Sequence, residues 1–241
     1  RSRDARAQDP RPDESEHRTI VERAANPRHR PAATAEPRSP IGTRRVAVDD
    51  YAQAIGKGVE DVRIGIVKEL MQSALLHPEV RGLLTGAVAA LEKAGARVDQ
   101  VSIPLIELSS AIYVAIAEPE AAALFRPHLL ARSQDFDVLP RRRLLTASLI
   151  PASVIAPAKR LGERLRAQVD EVLRDVDVLV SPATPSAAPP ITTASRIRSK
   201  DEAWMTAAAG RSLFTNPFNI TGHPALSVPC GFTAEHLPVG L

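Results

Sequence analysis

Groups able to attack or protonate a carbonyl compound are few in this chain and widely spaced. There are five lysines (Lys57, Lys68, Lys93, Lys159 and Lys200), a single cysteine, Cys230, and six histidines. Ser109-Ser110 is the only place where two serines adjoin. A hydroxyl becomes a useful nucleophile only beside a base. Preorganised donors at an oxyanion then lower the barrier by about 3–4 kcal/mol each. Ser109-Ser110 has no flanking glycine to expose backbone N–H groups, and it falls in a helix-like stretch, so it reads as a capping or packing pair. His77 and His223 each precede a proline and read as a helix-start and a turn residue. Cys230 lies between Pro229 and Gly231, with nothing nearby to lower its pKa, and reads as a structural thiol.

The elements around these residues must come from an aliphatic core. Hydrophobic residues make up 44% of the 241 positions and aromatics only 3%. Ala, Leu, Val and Ile therefore supply the packing. The formal charge of +3 is modest for this length and little aromatic side chain is interleaved with it, so no nucleic-acid partner is called for. One cysteine excludes an internal disulfide and a cysteine-built metal site, which fits a reducing, cytoplasmic setting. No apolar run reaches the roughly 18 residues that span a bilayer, so no membrane is expected. The first residues, RSRDARAQDP, lack the apolar core of a secretory signal. The chain starts without Met and stops in mid-pattern at Leu241, and it is expected to be a piece of something longer.

Composition changes near residue 46. Residues 1–45 are rich in Arg, Pro, Asp, Glu and Ala and cannot bury enough surface to offset their ordering entropy, so they are expected to be disordered or irregular. A basic tether at Arg28-His29-Arg30, or segments that order only against a partner, are the other readings. Residues 46–241 are expected to form one partial α/β domain. Arg63 to Val67 reads as a buried strand. Pro78 opens a helix with the apolar stripe Val80, Leu83, Leu84, Ala87, Val88 and Leu91. Gly95 closes it as the residue after the C-cap, and Ala96 to Ile103 alternates as a second strand. This is a βαβ unit, expected to cross over right-handed. Beyond it the spacing predicts helices over Leu105–Ala117 and Glu120–Arg132, with Pro119 and Pro127 as kinks or boundaries. Further helices are predicted from Pro140 to Leu149, from Ser153 to Arg174 with Pro157 in the first turn, and from Ala203 to Ser212, anchored by Trp204. Val178 to Val180 reads as a strand followed by a proline loop, Ala225 to Val228 as another, and Gly231 as the turn after it.

Four blocks carry a resemblance. They are EPRSPIGTRRVAVDDYAQAIGKGVEDVRIGIVKE (Glu36 to Glu69), RRRLLTASLIPAS (Arg141 to Ser153), DVLVSPATPSAAPP (Asp177 to Pro190) and NPFNITGHPALSVPCG followed by LPVGL (Asn216 to Leu241). In order and spacing they resemble the C-terminal part of the amidase signature family, over residues 36–241. The resemblance implies an α/β fold with a mixed β-sheet flanked by helices, here incomplete. It implies hydrolysis of a carboxamide C–N bond by a serine nucleophile, a relay serine and a lysine base, with no cofactor and no metal, acting on a small-molecule amide. A homo-oligomer stays open. The family's Gly/Ser-rich loop and lysine have no counterpart here, so no catalytic residue is assigned and the chain alone is expected to be inactive. For substrate binding the resemblance points to Arg143, aligned with an arginine that grips a carboxylate in glutamine-using members, with Arg142 as a rival. It also points to Ser212, where those members carry an aspartate, and to Asn219 beside the expected cleft. His128 stands where the family has a tyrosine. The serine at 212 weighs against the amidase-type subunit of a glutamine-dependent tRNA amidotransferase. A non-catalytic binding remnant is the other alternative.

Overall fold

The computed structural model describes residue 53, residues 56–189 and residues 212–241. The expected tail over 1–45, its Arg28-His29-Arg30 run, Trp204 and all but the last residue of the helix expected from Ala203 lie outside the described residues. The unit to which almost all described residues belong runs from Val59 to Leu241.

Its centre is a short apolar strand, β1 (Arg63–Val67), the middle member of a three-stranded parallel sheet of order β2-β1-β3. The neighbours are β2 (Arg97–Val101) and β3 (Val178–Val180). A middle strand buried on both faces must be apolar throughout rather than alternating, which is why Ile64, Ile66 and Val67 follow one another so closely. Between β1 and β2 run α1 (Lys68–Met71) and α2 (Pro78–Lys93). The start of α2 follows the expected chemistry: His77 is the N-cap, its Nδ1 accepts the Glu79 N–H at 3.3 Å, and Pro78 occupies the first helical position. The stripe Val80, Leu84 and Val88 is buried, and Gly95 leaves the helix at a φ of 100°.

A 3-10 turn (Pro104–Leu108) leads into α3 (Ser109–Arg132), which is one continuous helix. The two separate helices expected here merge, and Pro119 and Pro127 sit inside without breaking it. Each proline deprives a carbonyl one turn back, at Ala115 and Ala123, of its usual donor. The helix packs against three others: α4 (Val138–Ala147), α5 (Ala152–Val172) and α6 (Asn216–Thr221). The run Pro104–Asp135 is also long and apolar enough to cross a bilayer by length and composition, contrary to the sequence expectation. Here its contacts are with the other helices of the layer. The fourth helix begins at Val138 rather than Pro140 because Asp137 caps it, Oδ1 accepting the Val138 N–H at 2.6 Å. Pro157 stands in the second turn of α5, not the first.

The chain ends in an antiparallel pair, β4 (Pro229–Phe232) and β5 (Pro238–Gly240). This displaces the expected strand over Ala225 to Val228 and the expected turn at Gly231. The strand starts at Pro229, which a proline tolerates as the first residue of a ladder, and Gly231 lies within it at a register shift. The main core joins Val67, Leu70, Leu84, Ile103, Leu165 and Phe214 between sheet and helices. Large apolar side chains stay exposed on the helical layer, among them Leu124, Leu130, Leu145 and Leu149.

One polar clamp fixes the sheet at its entry. Asp177 accepts the Arg63 backbone N–H at 2.9 Å and its guanidinium at 2.6 and 3.2 Å, while its own N–H donates to the Arg63 carbonyl at 2.8 Å. The side-chain hydrogen bonds from Arg63, then the backbone one, hold the Asp177 carboxyl down at about 2. Because the folded value is depressed, its stabilisation is fully present above about pH 4, the ordinary aspartate range. It is lost as pH falls through about 2. Asp177→Asn is therefore expected to lower the urea midpoint at pH 5 and to make little difference near pH 2. An equal gap at both pH values would refute the assignment.

Candidate functional site

The sequence-derived positions fall on the helical layer. Arg143 projects from α4 and is engaged by Glu118 of α3, which receives both Nε and Nη2 on one carboxylate oxygen. The Glu118 side chain is only 10% exposed, that of Arg143 62%. The hydrogen bond to Glu118 raises the arginine further above its ordinary pKa, against the opposing effect of burial. Arg143 is thus neither a free anion receptor nor a loose surface cation. It is a guanidinium held by one edge, with the other edge turned away from its partner. Glu118 escapes a reading of the sequence, where a lone glutamate before Pro119 carries no signal of pairing across 25 residues.

Ser212 opens a short 3-10 turn (Ser212–Phe214) just before α6. Asn219 is exposed on α6, its backbone N–H pointing to the Thr215 carbonyl at 3.5 Å. The left-handed Gly222 (φ 72°) ends that helix. Since α3 packs on both α4 and α6, it is the element that links Arg143 to Asn219; no direct bond joins the two.

The serine pair is packing, as its setting suggested: Ser109 is fully buried, and neither Ser109 Oγ nor Ser110 Oγ has a hydrogen-bond partner. Among the described residues no hydrogen bond joins a serine to a lysine. Lys159 pairs with Glu120 at 3.0 Å. Cys230 is a free thiol whose pKa burial pushes up, with Sγ 3.4 Å from the Val239 carbonyl.

A hydroxyl–imidazole–carboxylate series does exist, and no local motif announces it. His223 Nδ1 lies 2.9 Å from Thr221 Oγ1, and Nε2 lies 3.0 Å from Asp170 Oδ1 on α5. With Nε2–H donating to Asp170, Nδ1 accepts from the threonine, the polarity of a catalytic triad. Thr221 is 1% exposed, however, so no acyl carbon can reach its oxygen. Arg166, 3.8 Å from the other Asp170 oxygen, completes a fastening of the α6 terminus onto α5.

A sizeable cavity lies elsewhere, between the loop after β3 and the β4–β5 pair. It has a volume of about 460 Å³, and small residues line it, including Ala183, Thr184, Ser186, Ala187, Ser227 and Gly240. None of the described residues that line it carries a charged side chain.

A model of the Amidase family matches residues 31–241. The chain belongs to the amidase family. This amidase-family chain is 30% identical over 217 residues to the A-type subunit of glutamyl-tRNA(Gln) amidotransferase from Halothermothrix orenii, covering 80% of this chain and 44% of that one. It matches the solved structure of the corresponding amidotransferase subunit from Thermotoga maritima at 29% identity and a TM-score of 0.58, covering 76% of this chain and 38% of that one. It also matches, at 25% identity and a TM-score of 0.71, a chain of a vestigial protein complex described as revealing the evolutionary origins of an s-triazine catabolic enzyme, covering 85% and 43% respectively. The chain spans less than half the length of the curated relatives it matches and corresponds to a C-terminal portion of amidase signature enzymes. Its parallel sheet flanked by helices is part of their α/β fold.

Proposed function

We propose that residues 46–241 form the supporting and substrate-side wall of an amidase that hydrolyses a carboxamide C–N bond. The nucleophilic serine, the relay serine and the lysine base would then be contributed by polypeptide outside these 241 residues. The family match over residues 31–241 carries the reading. It is supported by the described hydroxyls: Ser109 and Ser110 are buried without a base, and Thr221, bonded to an imidazole, is sealed. In such a reaction the serine oxygen attacks the amide carbon, the amine leaves with a proton returned by the base, and water then releases the acid. This chemistry calls for no cofactor, and a small-molecule amide in the cytoplasm is the proposed substrate.

The test pairs a chemical probe with turnover. A fluorophosphonate should leave residues 1–241 unlabelled, and the chain alone should release no ammonia or aniline from simple aliphatic and aryl amides. Co-expression with, or fusion to, an amidase-family segment carrying the Gly/Ser-rich loop and the lysine should give both labelling and turnover. Labelling of a serine within this chain alone would overturn the reading.

The likeness to the tRNA-dependent amidotransferase subunits favours glutamine as a second substrate reading. Two features weigh against it: Ser212 replaces the expected amine-gripping aspartate, and Arg143 is already engaged by Glu118. Glutamine hydrolysis by the joined protein at a rate matching that of simple amides would restore it.

A further inference from the structure

We infer that the cavity of about 230 Å³ between the β1–β2 pair and α2 is a binding site for a small carboxylate with an apolar body, its charge met by Lys68 and Arg81. Such binding does not depend on the proposed amidase chemistry. The volume lies below the roughly 300 Å³ at which ordinary small-molecule pockets begin, which restricts the occupant to a small molecule.

Two neighbouring strands and one helix face build it. Ile66 and Gln100 are partners in register on β1 and β2, so their side chains leave the sheet on the same face. Over them α2 presents Arg81, Thr85 and Val88, at the i, i+4 and i+7 spacing of one helical face. Lys68 and Met71 enter from α1, directly after β1. The apolar members, Ile66, Met71 and Val88, are buried or half-buried, while Lys68, Gln72, Thr85 and Gln100 are exposed. The cavity therefore has an aliphatic floor and a polar rim.

The rim is cationic, and none of the described lining residues is a carboxylate. Arg81 donates from Nη1 to the Met71 carbonyl and from Nη2 to the Ser73 carbonyl at 3.1 Å. These bonds anchor the guanidinium without cancelling its charge, and its remaining N–H donors stay available. Among the described residues no carboxylate lies within ion-pair distance of Arg81 or Lys68. Glu69 follows Lys68 in the chain, but its two carboxylate oxygens are taken by the Ser102 hydroxyl at 2.5 Å and the Ile103 N–H at 3.1 Å. The Thr85 hydroxyl spends its proton on the Arg81 carbonyl at 2.9 Å, whereas the side-chain amides of Gln72 and Gln100 can donate. A carboxylate can meet both cations with its two oxygens while its body lies on the aliphatic side chains. Inorganic phosphate would press oxygens onto Ile66, Met71 and Val88, where no donor compensates their desolvation. A cation is repelled, and a neutral ligand leaves both charges unmet.

Benzoate, benzyl alcohol and inorganic phosphate separate these cases when titrated into the full chain, at physiological ionic strength, by ligand-observed NMR and calorimetry. Benzoate is expected to bind about tenfold tighter than either of the others. Lys68→Glu puts a carboxylate on the rim and is expected to weaken benzoate at least about tenfold, while Lys68→Arg keeps the charge and changes affinity by less than about twofold. Arg81→Met removes the anchored cation and is expected to cost about tenfold. Lys93→Glu makes the same charge reversal in the last turn of α2, outside the cavity lining. Screening should hold its effect within about twofold. Circular dichroism checks that each variant folds. If Arg81→Met does not, because α1 is unfastened, the Lys68 and Lys93 variants give the same reading. Equal or tighter binding of benzyl alcohol or phosphate, an equal loss in Lys93→Glu and Lys68→Glu, or no saturable benzoate binding overturns the inference.

Discussion

Replacing Arg143 with alanine is expected to destabilise the fold by about 3 kcal/mol, while Glu118→Gln costs about 1 kcal/mol or less. The asymmetry follows from exposure. The arginine side chain is 62% exposed and can return to water when its partner goes, but the glutamate is 10% exposed and cannot. Deleting the cation therefore strands a buried carboxylate, whereas neutralising the carboxylate leaves a solvated guanidinium and a side chain that still accepts its hydrogen bond. Arg143→Lys should fall between the two, because it keeps the charge and loses the fork. Urea midpoints at neutral pH give the ranking, and a larger loss in Glu118→Gln than in Arg143→Ala would refute it. The same geometry bears on substrate choice. A guanidinium already neutralised by Glu118 attracts a second carboxylate weakly.

Local chemistry makes the βαβ unit readable. β1 is a short β-branched run, α2 carries a proline at its first position and a glycine after its end, and each signal acts within a few residues. The helical layer is less legible because proline there does not carry its average meaning. Pro119 and Pro127 would break an isolated helix, but α3 is held by three neighbouring helices and runs through both. The C-terminal pair differs from expectation for a related reason: Pro229 resembles a strand stop in sequence but is a strand start, a distinction set by which edge faces the partner.

The site is legible in sequence only as single residues. Arg143 and Asn219 can be singled out from motif blocks, but Glu118, Asp170 and Thr221 acquire meaning only from contacts across 25, 53 and 2 positions. His223 shows how a functional pattern can be local accident. Its neighbours form a hydroxyl–imidazole–carboxylate series, yet burial of the hydroxyl turns that series into a fastening. Accessibility, not hydrogen bonding, decides between the two, and accessibility is a property of the whole packing.

Gly231→Val should be among the most damaging single changes, lowering stability by about 4 kcal/mol through backbone strain and overpacking combined. Gly231 stands at the register shift in β4 with a φ of 150°. A Cβ built there would lie 2.9 Å from Leu83 Cδ2 on α2, where β4 packs. The two costs differ in kind. The contact is with the end of a flexible side chain and can be relieved by a new Leu83 rotamer, but the positive φ belongs to the residue itself. A double-mutant cycle separates them. Gly231→Ala is expected to cost about 2 kcal/mol, and in a Leu83→Ala background it should still cost about 1 kcal/mol or more, the part due to strain. If the substitution becomes neutral once Leu83 is shortened, the backbone is unstrained and the glycine is there only for space. Strain that persists means the bulge itself demands glycine, and with it the placement of β5 and the cavity wall that Gly240 and Val239 provide.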